Sequence, residues 1–88
     1  MGMYRTKPVV VEAFYVTVVN IEEVAIWCGG SIKGIALPKY ARCIDIQTRE
    51  GEICAEIGDV ITKEMGEVYV YKVDTFELRF EKFTMEKI

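Results

Sequence analysis

The sequence predicts a small α+β fold: a mostly antiparallel sheet of about five or six short strands packed against one short α-helix at about residues 21–28. Three observations carry that prediction. Stretches of period-two apolar alternation recur between turns marked by Gly51, Gly58 and Gly66. One stretch, "NIEEVAIWCGG", has helical spacing together with start and stop signals. A length of 88 residues, 51% apolar and 28% charged, fits a single globular domain over 1–88.

The elements follow in chain order. Residues 1–6 read as a loose arm. In "KPVVVEAFYVTVV", Val9, Val11, Ala13 and Tyr15 share one face, and Val10, Glu12, Phe14 and Val16 the other. Both faces are largely apolar, which predicts a central strand covered on both sides. Pro8 lacks an N–H and fits the start of that strand. In the helical stretch, Asn20 stands where a cap belongs and Glu23 where a capping box places its acid. Gly29 supplies the positive φ that stops a helix. Ile21, Val24, Ala25 and Cys28 make one apolar stripe. A helix of about two turns cannot stand alone and must pack on the sheet.

Short β elements then return, first punctuated by Gly34 and Pro38. Ile44 and Ile46 alternate with Asp45 and Gln47. Arg49 to Glu52 reads as a hairpin turn with Gly51 at positive φ, and Ile53, Ala55 and Ile57 continue on the far arm. Gly58-Asp59 is a second turn, "VIT" a short strand, and a third turn ends at Gly66. The last stretch, "GEVYVYKVDTFELRF", changes parity. Tyr69, Tyr71 and Val73 are odd, whereas Phe76, Leu78 and Phe80 are even. One flat strand cannot bury both sets on one side. A bulge resolves the conflict, and so does a tight turn over Lys72 to Thr75, favoured by Asp74, that starts a new element; the pattern leaves both open.

The chemistry of the side chains narrows function by what it lacks. The chain has no histidine, so histidine-based triads and dyads are excluded. No phosphate-binding glycine motif occurs, and Gly29-Gly30 follow a helix instead of opening one. Asp45, Glu56, Asp59 and Asp74 are candidate acid–base or cation groups, but no ligand spacing joins them. The expectation is therefore no catalytic residue, no metal, no cofactor and no enzyme. Cys28, Cys43 and Cys54 are odd in number and contain no CxxC pair, and they read as reduced, mostly buried thiols. "VVVEAFYVTVV" is too short to span a bilayer, so no membrane association is expected.

Charge is uneven. Residues 1–44 sum to +2 and residues 45–88 to −5, giving the net −3. An acidic half argues against a nucleic-acid backbone as partner. Five tyrosines, four phenylalanines and one tryptophan are many for this size. They fill a core or contact a ligand or partner. The candidate contact residues are Trp27, Tyr69 and Tyr71 for stacking, with Arg5, Lys7 and Lys72 to neutralise an anion. Trp27 lies off the apolar stripe, at the core's edge or exposed as an anchor.

"KPVVVEAF", the "NIEEV…W" helix and "GDVI…GEVYVYKVDTFELRF" together resemble a group of small phage and prophage proteins. Those open on a KPxxVEA strand and close on a GD(W/Y/V)I…GExY…K-x-D-x-F-E segment. The similarity runs from Lys7 to Glu81, sharpest at Lys7-Pro8, Gly58-Asp59, Gly66-Glu67, Tyr69, Lys72, Asp74 and Phe76. Val73 stands where the group has proline, and the resemblance implies a corner at Lys72-Val73-Asp74. It also implies a phage origin and a place in the cytoplasm of the infected bacterial host. The expected function is a non-enzymatic accessory protein that binds, self-associates and engages a host protein. The alternatives are an oligomeric sponge for a small nucleotide signal and a virion or assembly component.

Overall fold

The computed structural model describes residues 2–3 and 11–80. Arg5, Lys7 and the strand start expected at Pro8 lie outside the described residues. The elements run β1 (Glu12–Tyr15), α1 (Ile21–Cys28), β2 (Ser31–Lys33), a 3-10 turn (Lys39–Ala41), β3 (Cys43–Thr48), β4 (Gly51–Glu56), β5 (Val60–Glu64), β6 (Glu67–Tyr71) and α2 (Val73–Arg79). The strands form two three-stranded antiparallel sheets, ordered β1-β5-β6 and β2-β3-β4. The α+β class is as the sequence predicts. The single sheet is in fact two, and a second helix joins the first.

The turns account for the registers. Arg49 and Glu50 form a two-residue connection, with Gly51 at φ 115° opposite Thr48. Met65 and Gly66, at φ 52° and 82°, join β5 to β6, and two positive φ values give the turn the twist that antiparallel strands need. Gly58 turns at φ 98°. There Asp59 accepts the Glu56 N–H at 3.0 Å through Oδ2 and holds the Lys72 ammonium at 3.2 Å through Oδ1.

Helix α1 buries the expected stripe of Ile21, Val24, Ala25 and Cys28. It ends at Gly29, φ 74°, where the Gly29 N–H reaches the Ile26 carbonyl and the Gly30 N–H the Ala25 carbonyl. Gly30 serves a different purpose. A Cβ there would lie 2.5 Å from Ile44 Cγ2 and 2.9 Å from the Asp45 carbonyl, so only glycine lets the chain pass so close to β3. The start of the helix differs from expectation. Asn20 occupies the cap position, but its side chain makes no cap bond. Its Oδ1 instead accepts the Thr17 N–H at 2.8 Å, and its Nδ2 donates to the Tyr15 carbonyl at 2.9 Å. With that side chain turned back onto the β1–α1 loop, the reciprocal box with Glu23 does not form. Glu22 and Glu23 still sit in the first turn, where the helix dipole favours acid.

The core lies between α1 and the inner faces of both sheets. Val16, Val24, Ile44, Ile46, Ala55 and Ile61 are at most 1% exposed. Phe14, Trp27, Ile32, Ile57, Val68 and Val70 close its edges. Each fully buried aliphatic chain contributes about 1.5–3 kcal/mol of transfer free energy.

Three expectations are corrected. The first strand is not central: β1 pairs only with β5 among the described residues, and β5 is the middle strand. The reason is visible in Val60, Ile61 and Thr62, three consecutive β-branched residues with no exposed surface. The cysteines are not all thiols: Cys43 and Cys54 form a disulfide with Cα atoms 6.2 Å apart, and only Cys28 is free. The parity break is not a bulge: a new element starts there, as the turn alternative had it, but that element is a helix. The chain leaves β6 at Tyr71 and enters α2. Asp74 makes no turn. It lies exposed in the first turn of that helix, and Arg79 lies in the last.

Candidate functional site

The sheet β1-β5-β6 has two differently used faces. Opposed residues share a face, so Phe14, Ile61, Val70 and Val68 look toward the core, while Tyr15, Val60, Thr62, Tyr71 and Tyr69 look the other way. Helix α2 supplies the cover on that second face. Phe76 and Phe80, four residues apart, stack at 4.9 Å, and Tyr71 meets both, at 6.1 and 5.6 Å. Tyr15 adds an edge contact to Phe76 at 5.8 Å. Leu78, which strand alternation would have grouped with Phe76 and Phe80, is 88% exposed because it falls on the helix's opposite side.

Beside this cluster a shallow groove of ≈ 380 Å³ runs between β6 and the tip of the β3–β4 hairpin. Tyr69, Tyr71, Arg49, Arg79, Glu67 and Ile53 line it. Its polar atoms are largely engaged with one another. Glu64 Oε2 accepts the Tyr71 hydroxyl at 2.7 Å and the Thr62 hydroxyl at 2.7 Å. Glu67 accepts the Tyr69 hydroxyl at 3.0 Å and pairs with Arg49 at 3.3 Å. Burial, then the hydrogen bond to Glu64, pushes the Tyr71 phenol above its ordinary value. For Tyr69 the hydrogen bond to Glu67 comes first, in the same direction.

The structure brings Tyr69 and Tyr71 together, with ring centroids 6.5 Å apart, but separates them from the other contact candidates. Trp27 packs edge-on against Phe14 at 4.8 Å, under the Lys63 ammonium at 4.7 Å, on the core side of the sheet. It is half-buried, at the core's edge. Lys72 is tied to Asp59. Gly29, Gly58 and Gly66 lie at chain reversals, with Asp59 directly after Gly58, whereas Gly51 and Glu52, expected inside the first hairpin turn, already belong to β4, because Arg49 and Glu50 alone make the connection. Cys28 is buried, with its Sγ 3.7 Å from the Ala25 carbonyl, and burial pushes its thiol up, away from reactivity.

Sequence reading missed two features. Arg49 and Arg79 enter the groove only through the hairpin tip and α2, and the i, i+4 spacing of Phe76 and Phe80 was the signal for that helix. The β2–β3 loop is the second. It exposes Ile35 by 69%, Leu37 by 53% and Tyr40 by 74%. Yet the loop is braced: Leu37 N–H donates to the Gly34 carbonyl, Ala41 N–H to the Pro38 carbonyl, and Arg42 Nη2 to the Ile35 carbonyl at 3.1 Å. "GIALPKY" carried the signal, as an apolar run without strand alternation.

Among the described residues, no helix is long and apolar enough to cross a membrane. No protein-family model, curated protein or solved structure matches the chain.

Proposed function

We propose that this protein works by binding, as a non-enzymatic phage accessory module that self-associates and engages a host protein in the cytoplasm of the infected bacterium. The β2–β3 loop carries this reading. Three large apolar side chains stand in solvent on a loop whose backbone is already fixed by hydrogen bonds. A braced apolar projection loses little conformational entropy when covered, which is what makes a good contact residue. Tyr40 is the anchor of the set, since tyrosine gives large contact area for few rotors. Sedimentation velocity of the full chain and of an Ile35→Ser, Leu37→Ser, Tyr40→Ser variant tests it. The wild type sediments as a dimer or larger species at micromolar concentration, and the variant as a folded monomer. A monomeric wild type that also retains no host protein on affinity capture would overturn the proposal.

A second reading, a sponge for a nucleotide signal, is favoured by the groove that sets Tyr69 and Tyr71 beside Arg49 and Arg79. It requires a ligand to displace Glu67 from Arg49. A thermal-shift screen with cyclic dinucleotides separates the two, because a ligand held only by the native state raises Tm. An unchanged Tm across the screen removes the sponge.

A further inference from the structure

The outer face of the β2-β3-β4 sheet gathers a further donor set, which borders the β2–β3 loop: Tyr40 lines the same shallow groove as Cys43 and Glu56. Ile44, Ile46 and Ala55 point into the core, so their strand neighbours point outward. In register, Asp45 stands opposite Cys54, and Cys43 precedes Asp45 by two on the same face. Cys43 Sγ, Cys54 Sγ and an Asp45 carboxylate oxygen all lie within 4.8 Å of one another. Two alternate rungs of one hairpin, Cys43–Glu56 and Asp45–Cys54, hold them there, so the backbone register sets the arrangement. Glu56 shares the face, opposite Cys43, and both line a shallow groove. Lys33 Nζ lies 3.5 Å from the Asp45 carboxylate.

We propose that Cys43, Cys54 and Asp45 form a redox-gated site for a thiolate-preferring divalent cation such as zinc, closed as the disulfide and opened by reduction. Two sulfurs and one carboxylate suit a tetrahedral borderline cation, with one position left open. Both states use the same strand register, and on reduction the two sulfurs move apart by side-chain rotation to take a cation between them. A dithiol reductant attacks one sulfur through a mixed disulfide, delivers two electrons and departs as its own disulfide, leaving Cys43 and Cys54 as thiols. The cation then displaces the two thiol protons into solvent. Cys54 is exposed and Cys43 half-buried, so reductant and cation both have access. Lys33 competes with the cation for Asp45.

Titration of the full chain with Co²⁺, after reduction by a phosphine, tests the site. The expected result is one Co²⁺ per chain with a thiolate-to-cobalt charge-transfer band, and no such band in the oxidised chain. Asp45→Asn weakens binding by at least about tenfold, the lower bound seen even for outer-shell partners. Cys54→Ser reduces the band to that of one thiolate, and Lys33→Gln tightens binding. Should circular dichroism show Cys54→Ser unfolded, Asp45→Asn carries the test. A reduced chain without the band, an Asp45→Asn chain that binds as the wild type does, or one metal per two chains would each overturn the proposal.

Discussion

The two sheets use the same local rules and reach different ends. In β1-β5-β6 the middle strand is buried on both sides, by the core on one and by the α2 aromatics on the other. In β2-β3-β4 the middle strand is buried on one side only. Ile44 and Ile46 face the core, while Asp45 and Gln47 face outward. Double cover makes β5 the structural axis. Single cover leaves β3 with a free face, and the apolar loop and the Cys43–Cys54 pair belong to that sheet.

The largest expected effect breaks the comparison at its strongest point. Ile61→Ala should cost about 2–5 kcal/mol in urea unfolding, and Val60→Ala, on the opposite face of the same strand, about 2 kcal/mol. The matching pair on β3 should split. Ile44→Ala should cost about as much as Ile61→Ala, while exposed Gln47→Ala should stay within about 0.5 kcal/mol. Equal losses at Gln47 and Val60 would remove the asymmetry.

Gly30→Ala comes next, at about 1–3 kcal/mol, because the new methyl meets Ile44 Cγ2 and the Asp45 carbonyl. Gly29→Ala meets no atom within 4 Å and carries only the left-handed backbone penalty, about 1 kcal/mol. Thermal denaturation of the two variants ranks them, and a costlier Gly29→Ala would contradict the close approach to β3. Phe76→Ala then tests the cover on β5. Phe76 is only half-buried, so a loss of about 1–3 kcal/mol is expected, below that of a fully buried phenylalanine. Near-ultraviolet circular dichroism should show the tyrosine signal weakened with the strand content kept.

How far the sequence foretold this comparison depends on which signals were local. Helix α1 was legible because Gly29 and the stripe from Ile21 to Cys28 are close in sequence. The hairpins were legible because Gly51, Gly58 and Gly66 mark reversals that need positive φ. Asn20 failed as a side-chain cap because Thr17 and Tyr15 offered its amide competing partners. The second helix was hidden by its neighbours. Tyr69 and Tyr71 set a strand rhythm that overrode Val73, Phe76 and Phe80, whose spacing of three and four is helical. The disulfide was hidden by register. Cys43 and Cys54 are 11 apart in sequence, and only pairing about the Arg49-Glu50 turn sets Cys54 beside Cys43. In the candidate groove, Tyr69 and Tyr71 stand out in the sequence as aromatic residues, whereas the placement of Arg49, Arg79 and the β2–β3 loop required the fold.

The smallest effect concerns pH. Tyr71 keeps its proton to higher pH in the folded chain than in the unfolded one. Stability from this group is therefore complete below the unfolded value of about 10 and falls as pH rises above it, since the unfolded chain releases its proton first. Tyr71→Phe should flatten that alkaline decline. In tyrosinate absorbance, Tyr69→Phe and Tyr71→Phe should each remove a late-titrating component.

The most direct measurement is hydrogen–deuterium exchange across a range of protein concentrations, followed by exchange with any captured host partner. The loop from residue 34 to residue 42 should gain protection as association proceeds, while the Tyr69–Tyr71 face of β6 exchanges at an unchanged rate. Protection appearing at β6 with the loop unaffected would contradict the account and move the working surface to the groove.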